Sequence, residues 1–277
     1  MVVRKDLLPD PTAGLLKLGV VISFALLAIL LRALDGRGFL ASVAVGYSIV
    51  LGGGWSWFVI VAIFFMLGVG FTFYKYEFKK KLGTAQEKGG ARNWPNILAN
   101  GGAASIFAIA ELFYGGPVFV ALFLGSVATS AADTVATEVG LLSKQSPRLL
   151  TSPGSVVAPG TSGGVTPLGV TGELFASAVI GVMAILLGVL PPTLPALAVV
   201  VIGGVVGASV DSMLGAIVQR KGYCVICGKP TEALKHCGET TQRTSGIPFI
   251  ENNIVNLLAS LIGALSSLVF AVPLLGY

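Results

Sequence analysis

Eight apolar runs, most of them long enough to cross a lipid bilayer, dominate this chain: 14–34, 38–51, 55–73, 94–114, 118–142, 170–190, 194–218 and 254–272. A transmembrane helix needs about 17–25 mostly apolar residues, and within lipid only helices and closed barrels satisfy their own backbone polar groups. With 54% hydrophobic and 11% charged residues among 277, the chain is excluded from ordinary soluble domains, in which about a quarter of residues are charged. The expected fold is all-α: a polytopic transmembrane bundle of about eight helices, forming one domain over residues 1–277. The second run is short and ends in Gly52, Gly53 and Gly54, which leaves a re-entrant arm open as the alternative to a full span.

Sorting the 18 Lys and Arg residues by the loops on which they emerge puts Arg4, Lys5 and Lys17 on one side and the other fifteen on the opposite side. Cationic loops collect in the cytoplasm. Both termini are therefore expected outside a cell membrane, with the long loops 74–93, 142–169 and 219–253 inside. The formal charge of +5 follows from this topology and carries no nucleic-acid signal. Lys79, Lys80 and Lys81 read as topology determinants beside anionic headgroups. The N-terminal segment lacks a small-residue cleavage site after a short apolar run, so the first run reads as a retained span.

Against this apolar background, the segment TSAADTVATEVG at 129–140 buries Asp133 and Glu138 in a run that otherwise suits lipid. Ionisable groups there are costly and mark functional sites. A second segment, GASVDS at 207–212, repeats the pattern with Asp211. The charge-sorted topology places all three acids near the cytoplasmic ends of their helices. Asn96, Asn100, Glu173, Asn252, Asn253 and Asn256 lie at the cytoplasmic beginnings of neighbouring helices, and Glu111 alone lies at the far end, as an interfacial residue. Three carboxamides at the start of one run cannot all be the N-cap; one can cap, and the others are candidates for ligand or metal contacts.

Carboxylates with carboxamides near a membrane surface suit Mg2+, a hard cation that keeps several waters and substrate phosphates in its shell. An ion-coupled transporter uses the same residue types, but near the midplane, and the displacement of these groups towards one face weighs against that reading. The loop containing Gly160, Thr161, Ser162, Gly163 and Gly164 leads into a helix, where successive amides and the helix dipole can cradle a phosphate. It has no Walker A lysine, and a plain connector is the other reading. Lys88, Arg92, Lys144 and Arg148 could neutralise phosphate charge from the same face, although each is also readable as an ordinary loop cation. In the loop 219–251, Cys224, Cys227, His236 and Cys237 have the donor set of a Cys3His zinc knuckle, with Gly228 and Gly238 allowing its tight turns. In a reducing compartment, metal is favoured over disulfide.

The ordered motifs NILANGG (96–102), SAADTVATEVG (130–140), GTSGGVTPLG (160–169), GASVDSMLG (207–215) and NNIVN (252–256) resemble domain-of-unknown-function family 92, an integral-membrane family that includes plastid phytyl-phosphate kinase. The resemblance covers the chain from about Arg32 onward; the cysteine loop is not part of the plant pattern. It implies an isoprenyl-phosphate kinase that moves the terminal phosphoryl group of a nucleoside triphosphate, CTP by similarity, to a prenyl monophosphate such as geranylgeranyl or phytyl phosphate. On that reading Asp133, Glu138, Asp211 and Asn253 hold Mg2+ and triphosphate. The 160–169 loop, with Asn100, Asn252 and Asn256, contacts nucleotide and phosphate, and Arg92, Lys144 and Arg148 balance charge. The partners implied are the nucleotide, the lipid phosphate and the bilayer, with room for a homo-oligomer. The alternatives are a transporter of a phosphorylated or isoprenoid metabolite and a lipid-phosphate cytidylyltransferase.

Overall fold

A computed structural model describes residues 11–85, 87–228 and 230–276; Arg4, Lys5, Lys229 and the Lys88 side chain, all used in the charge argument, lie outside it. Its long helices are α1 (Pro11–Leu30), α2 (Gly36–Gly52), α3 (Gly54–Phe73), α5 (Trp94–Tyr114), α6 (Pro117–Gly140), α7 (Pro167–Leu186), α8 (Leu194–Ile217) and α9 (Asn252–Leu275), with a six-residue α4 (Tyr76–Lys81) on a polar loop. Among the described residues, seven are long and apolar enough to cross a membrane, and α2, with 17 residues, is shorter. The chain is thus the expected all-α membrane bundle.

Successive long helices reverse direction, so the joins 31–35, 74–93, 141–166 and 218–251 gather at one end, hereafter the polar end. Contacts between them confirm the gathering: the Arg92 amide donates to the Ala33 carbonyl at 2.9 Å, and the Ser162 hydroxyl donates to the Glu232 carboxylate. Two of these joins carry small antiparallel sheets. In the first, β1 (Arg148–Leu149) lies between β2 (Ser152–Val156) and β3 (Gly164–Val165). In the second, β4 (Lys221–Tyr223) lies between β5 (Pro230–Thr231) and β8 (Gln242–Ser245), followed in the same loop by a hairpin of β6 (Lys235–His236) and β7 (Glu239–Thr240).

Local signals set several helix starts. Asp35, Asn93, Thr166 and Thr193 each accept a backbone N–H with the side chain and so cap α2, α5, α7 and α8, as short polar side chains do. The N-cap of α9 is Glu251, which makes no side-chain cap bond. Asn252, Asn253 and Asn256 therefore all lie inside the helix, and none of them fills the capping role expected for one.

The glycine triplet after α2 makes a tight hairpin. A Cβ on Gly52 would fall 1.8 Å from the Ala108 carbonyl oxygen of α5, and one on Gly53 would fall 2.0 Å from the Trp57 ring. Gly54, at φ +71, takes the left-handed turn. The second run is thus a continuous helix beside α5 that turns back at the level of Ala108.

The most enclosed helix is α6, buried without interruption from Ala121 to Ala132. Small residues on its neighbours let it be surrounded closely, since packing inside a membrane depends on close backbone approach. A Cβ on Gly203 would meet Ser267 Oγ at 1.9 Å, and one on Gly207 or Gly263 would meet Thr129 Oγ1 at 2.1 or 1.9 Å. The hydroxyls add interhelical bonds at these contacts, Thr129 Oγ1 to the Gly203 carbonyl at 3.2 Å and Ser267 Oγ to the Val199 carbonyl at 3.1 Å. Towards the far end Trp57 of α3 stacks on Phe123 of α6 with ring centroids 4.0 Å apart. Overpacking such a contact costs about 1–3 kcal/mol. Gly207→Val and Gly263→Val should therefore each lower the unfolding midpoint of the detergent-solubilised protein, followed by circular dichroism, whereas Gly102→Ala, whose Cβ meets nothing within 4 Å, should not.

Candidate functional site

At the end of α3 the backbone of Lys75 turns left-handed, with φ 52, and folds α4 back against the bundle. This places Lys79 inside. Of the three lysines read as headgroup-facing, Lys80 and Lys81 are exposed, but Lys79 is only 1% exposed. Its ammonium donates to Glu138 Oε2 at 2.5 Å and to the carbonyls of Phe71 and Thr72 at 2.6 and 3.4 Å. Those carbonyls belong to the last turn of α3, which has no intrahelical partners for them. Thr72 Oγ1 donates to Glu138 Oε1 at 3.1 Å. Both Glu138 oxygens, expected to face a metal, are therefore engaged by Lys79 and Thr72.

Arg92 is held by its backbone between α2 and α5, its amide on Ala33 and its carbonyl accepting from the Asp35 amide at 3.1 Å. Its guanidinium crosses Gly68 of α3, where a Cβ would fall 2.4 Å from Nη2, and reaches Asn96 Oδ1 at 3.4 Å. Burial draws the Arg92 guanidinium below its usual pKa, and the negative charges of Glu138 and Asp133 pull the other way. Asp133 lies in turn within electrostatic range of Glu173 on α7 and Asp211 on α8. Asn256 of α9 turns its amide nitrogen to Asp211 Oδ2 at 3.1 Å and to the Asn252 carbonyl at 2.9 Å. Five elements thus meet around Asp133.

Asn100 completes this polar wall from α5. Its side-chain nitrogen donates to the Asn96 carbonyl at 3.0 Å, and its own carbonyl accepts from Ser130 Oγ of α6 at 3.0 Å. Its side-chain oxygen is buried without a hydrogen-bond partner, and an unpaired buried acceptor of this kind calls for an explanation such as an ion. Asp133, Glu173 and Asp211 against Arg92 leave a formal excess of two negative charges. Oxygen donors of this type are the ones a hard divalent cation takes, but among the described residues the group of three or more acidic, cysteine or histidine side chains whose ligand atoms converge is Cys224, Cys227, His236 and Cys237. Glu173 was not among the expected ligands, although it is the one acid in its apolar run. Asn253 is half-buried and Asn252 exposed beside this group.

The glycine-rich loop is braced. Gly160 and Gly163 have φ +82 and +80, and a Cβ on Gly163 would fall 2.5 Å from Ala216 Cβ and 2.6 Å from the Ser212 carbonyl of α8. Gly164 pairs with Leu149 in the first sheet, and the Thr161 carbonyl accepts the Gly164 amide at 2.9 Å. Ser162 donates to Glu232, whose other oxygen accepts from Gln219 Nε2 at 2.6 Å. Burial raises the Glu232 carboxyl above its usual pKa, and the Ser162 hydroxyl, the Lys221 charge and Gln219 oppose the rise. Lys144 and Arg148 are exposed, and the Arg148 guanidinium donates to the Pro153 carbonyl at 2.8 Å within its own hairpin. The structure therefore does not bring these two cations onto the acid cluster as it does Arg92.

Beside the polar wall, Arg92, Asn96 and Asn100 also line a largely apolar cleft whose walls include Phe24, Val45, Phe58 and Phe65, from α1, α2 and α3. At the opposite end of the molecule Glu111 lines a separate cavity with Gly52, Ser56 and Leu187. In the 219–251 loop, ligand atoms of Cys224, Cys227, His236 and Cys237 all lie within 4.8 Å of one another. Hydrogen bonding from the Cys227 backbone is the largest cause bringing the Cys224 thiol down to about 6.

Removing one partner of a buried ion pair costs about 3–5 kcal/mol, because the other charge is left unpaired. Lys79→Met should accordingly destabilise the protein by that amount in chemical denaturation in detergent, and Lys79→Met combined with Glu138→Gln should recover part of the loss.

The family model described as integral membrane protein DUF92 matches residues 19–264. Protein PGR of Arabidopsis thaliana is 28% identical over 258 residues, covering 83% of this chain and 86% of that protein. An uncharacterized membrane protein of Methanocaldococcus jannaschii is 33% identical over 192 residues, 69% of this chain and 77% of its own length. Protein VTE6, chloroplastic, of Arabidopsis thaliana is 27% identical over 198 residues, 70% of this chain and 59% of that protein. No solved structure matches. The match spans the Asp133, Glu173 and Asp211 helices and the glycine-rich loop alike, and the chain belongs to the DUF92 family of integral membrane proteins.

Proposed function

We propose that the protein is a membrane-embedded prenyl-phosphate kinase, working at the cytoplasmic face, that transfers the terminal phosphoryl group of a nucleoside triphosphate to a prenyl monophosphate. The observation that carries the reading is the place of Arg92. Its side chain lines the apolar cleft and stands within electrostatic range of Asp133. A lipid whose isoprenoid chain fills the cleft has its phosphate delivered to a guanidinium, which is well suited to bind it, at the edge of the acid cluster. Family membership, with its resemblance to plastid phytyl-phosphate kinase, supports the same substrate class and CTP as donor. The positive charge on the loops of the polar end supports the cytoplasmic assignment.

In the transfer, an oxygen of the prenyl phosphate attacks the terminal phosphorus as the bond to the bridging oxygen of the leaving nucleoside diphosphate breaks. The attacking oxygen is already largely ionised near neutral pH, so no strong general base is needed. Positioning and charge neutralisation carry such a reaction. Asp133, Asp211 and Glu173 would hold Mg2+, which when bound neutralises developing phosphate charge. Asn256 would orient Asp211, and Asn253 and the Asn100 side-chain oxygen would face the same guest. Arg92 would hold the acceptor phosphate, and Glu138 with Lys79 would position Arg92 through charge. The braced 160–164 loop would contact the donor phosphates.

Purified protein in detergent, given Mg2+, terminally labelled CTP or ATP and geranylgeranyl or phytyl monophosphate, should form labelled prenyl diphosphate. Asp133→Asn and Asp211→Asn should each lower turnover by about 10²–10³-fold, the range for losing one electrostatic contact to a transition state, with the unfolding midpoint kept. No product from folded protein with any donor would overturn the reading, and pyrophosphate release in place of nucleoside diphosphate would mark a cytidylyltransferase.

A further inference from the structure

We propose that Cys224, Cys227, His236 and Cys237 bind a structural Zn2+ whose role is to hold Glu232 against the glycine-rich loop. The donors are three thiols and an imidazole, a set that selects zinc over harder cations. In a tetrahedral site with usual zinc bond lengths the sulfur-to-nitrogen edges are about 3.6 Å. Here His236 Nδ1 stands 3.4 Å from Cys227 Sγ and 3.2 Å from Cys237 Sγ. His236 and Cys237 are consecutive, and side chains of consecutive residues in a strand point to opposite faces. The left-handed backbone of Cys237, φ 53, departs from that pattern and lets its sulfur turn to the side of the imidazole. Gly228 and Gly238, at φ +68 and +83, make the matching turns after the two ligand pairs.

The lobe around these ligands has almost no apolar interior. Among the described residues of 219–251, the buried ones are Gln219, Arg220, Gly222, Cys224 and Thr241. Cys224 is thus the one buried apolar side chain among about thirty described residues. Arg220 organises part of the lobe, donating to the Ala233 carbonyl at 3.2 Å and to the Thr241 carbonyl and hydroxyl at 3.0 and 2.8 Å. A segment this small without a core needs a metal or a covalent staple to hold one shape.

The lobe meets the glycine-rich loop through a residue between the two ligand pairs. Glu232 lies after Cys227 and before His236, and its carboxylate accepts from Ser162 of the glycine-rich loop and from Gln219 at the end of α8. A folded lobe sets the position of Glu232, and Glu232 sets Ser162. Metal in the lobe therefore stiffens the loop that leads to α7. This inference does not depend on the kinase reading, and its test needs no substrate.

The full-length protein, purified in detergent without chelators, should contain one zinc per chain by elemental analysis, and Cys224→Ser should contain none. Cobalt exchanged into the wild-type protein should give the thiolate-to-metal charge-transfer band of a tetrahedral site, a readout that does not rely on a variant folding. Hydrogen exchange at 158–165 should speed up several-fold on zinc removal, and equally in Glu232→Ala, which should keep its zinc. Folded wild-type protein that takes up neither zinc nor cobalt would overturn the site. Bound zinc whose removal leaves exchange at 158–165 unchanged would overturn the coupling.

Discussion

Charge inside an apolar bundle is the constraint on which the structure depends. An isolated carboxylate in lipid is costly enough to be tolerated only where it faces protein and finds partners. Every feature around α6 answers that requirement. Glycines on α8 and α9 bring their backbones close enough to enclose the helix, hydroxyls bridge at the same contacts, and α4 folds inward to deliver a lysine to Glu138. Arg92, fixed by its own backbone between α2 and α5, supplies the second cation. Asp133, Glu173 and Asp211 outnumber that remaining cation, and the bundle is organised around the imbalance.

The two sides of Arg92 differ sharply. One is a cleft of aromatic and aliphatic side chains, and the other is a wall of carboxylates and carboxamides. An amphiphile with its head at Arg92 would meet both environments at once. A small hydrophilic solute would leave the cleft unfilled, and a simple lipid without an anionic head would leave the guanidinium without a ligand. On the proposed reading, the cleft takes the apolar chain and the guanidinium takes the phosphate of a prenyl phosphate.

The helices and the acids were legible in the sequence for the same reason. A bilayer-length apolar run is a one-dimensional signal, and a charge within it stands out because lipid penalises it. Asp133, Glu138, Glu173 and Asp211 stand out from that contrast alone, which does not say which of them face a common guest. What stayed hidden depends on contacts between distant segments. No local pattern tells Lys79 from Lys80 or Lys81; the left-handed turn at Lys75 and the position of Glu138 decide which one turns inward. The grip of Glu232 on Ser162 joins loops 70 residues apart. Neighbouring polar residues also compete for one role: Glu251 takes the N-cap position expected for an asparagine, and Asn256, a turn further on, faces Asp211.

The shortness of α2 has a consequence for the surrounding lipid. Seventeen helical residues span about 26 Å, less than the roughly 30 Å hydrocarbon core of a typical bilayer. Because α2 turns back at Ala108 while α5 continues to Tyr114, the molecule is taller on one flank than on the other. Lipid must thin or tilt its chains against the short flank to avoid exposing them to water. The short helix α2 packs beside α1 and α3, and the three together wall the apolar cleft. On the proposed reading, the thinned bilayer lies beside the cleft that an isoprenoid chain would enter.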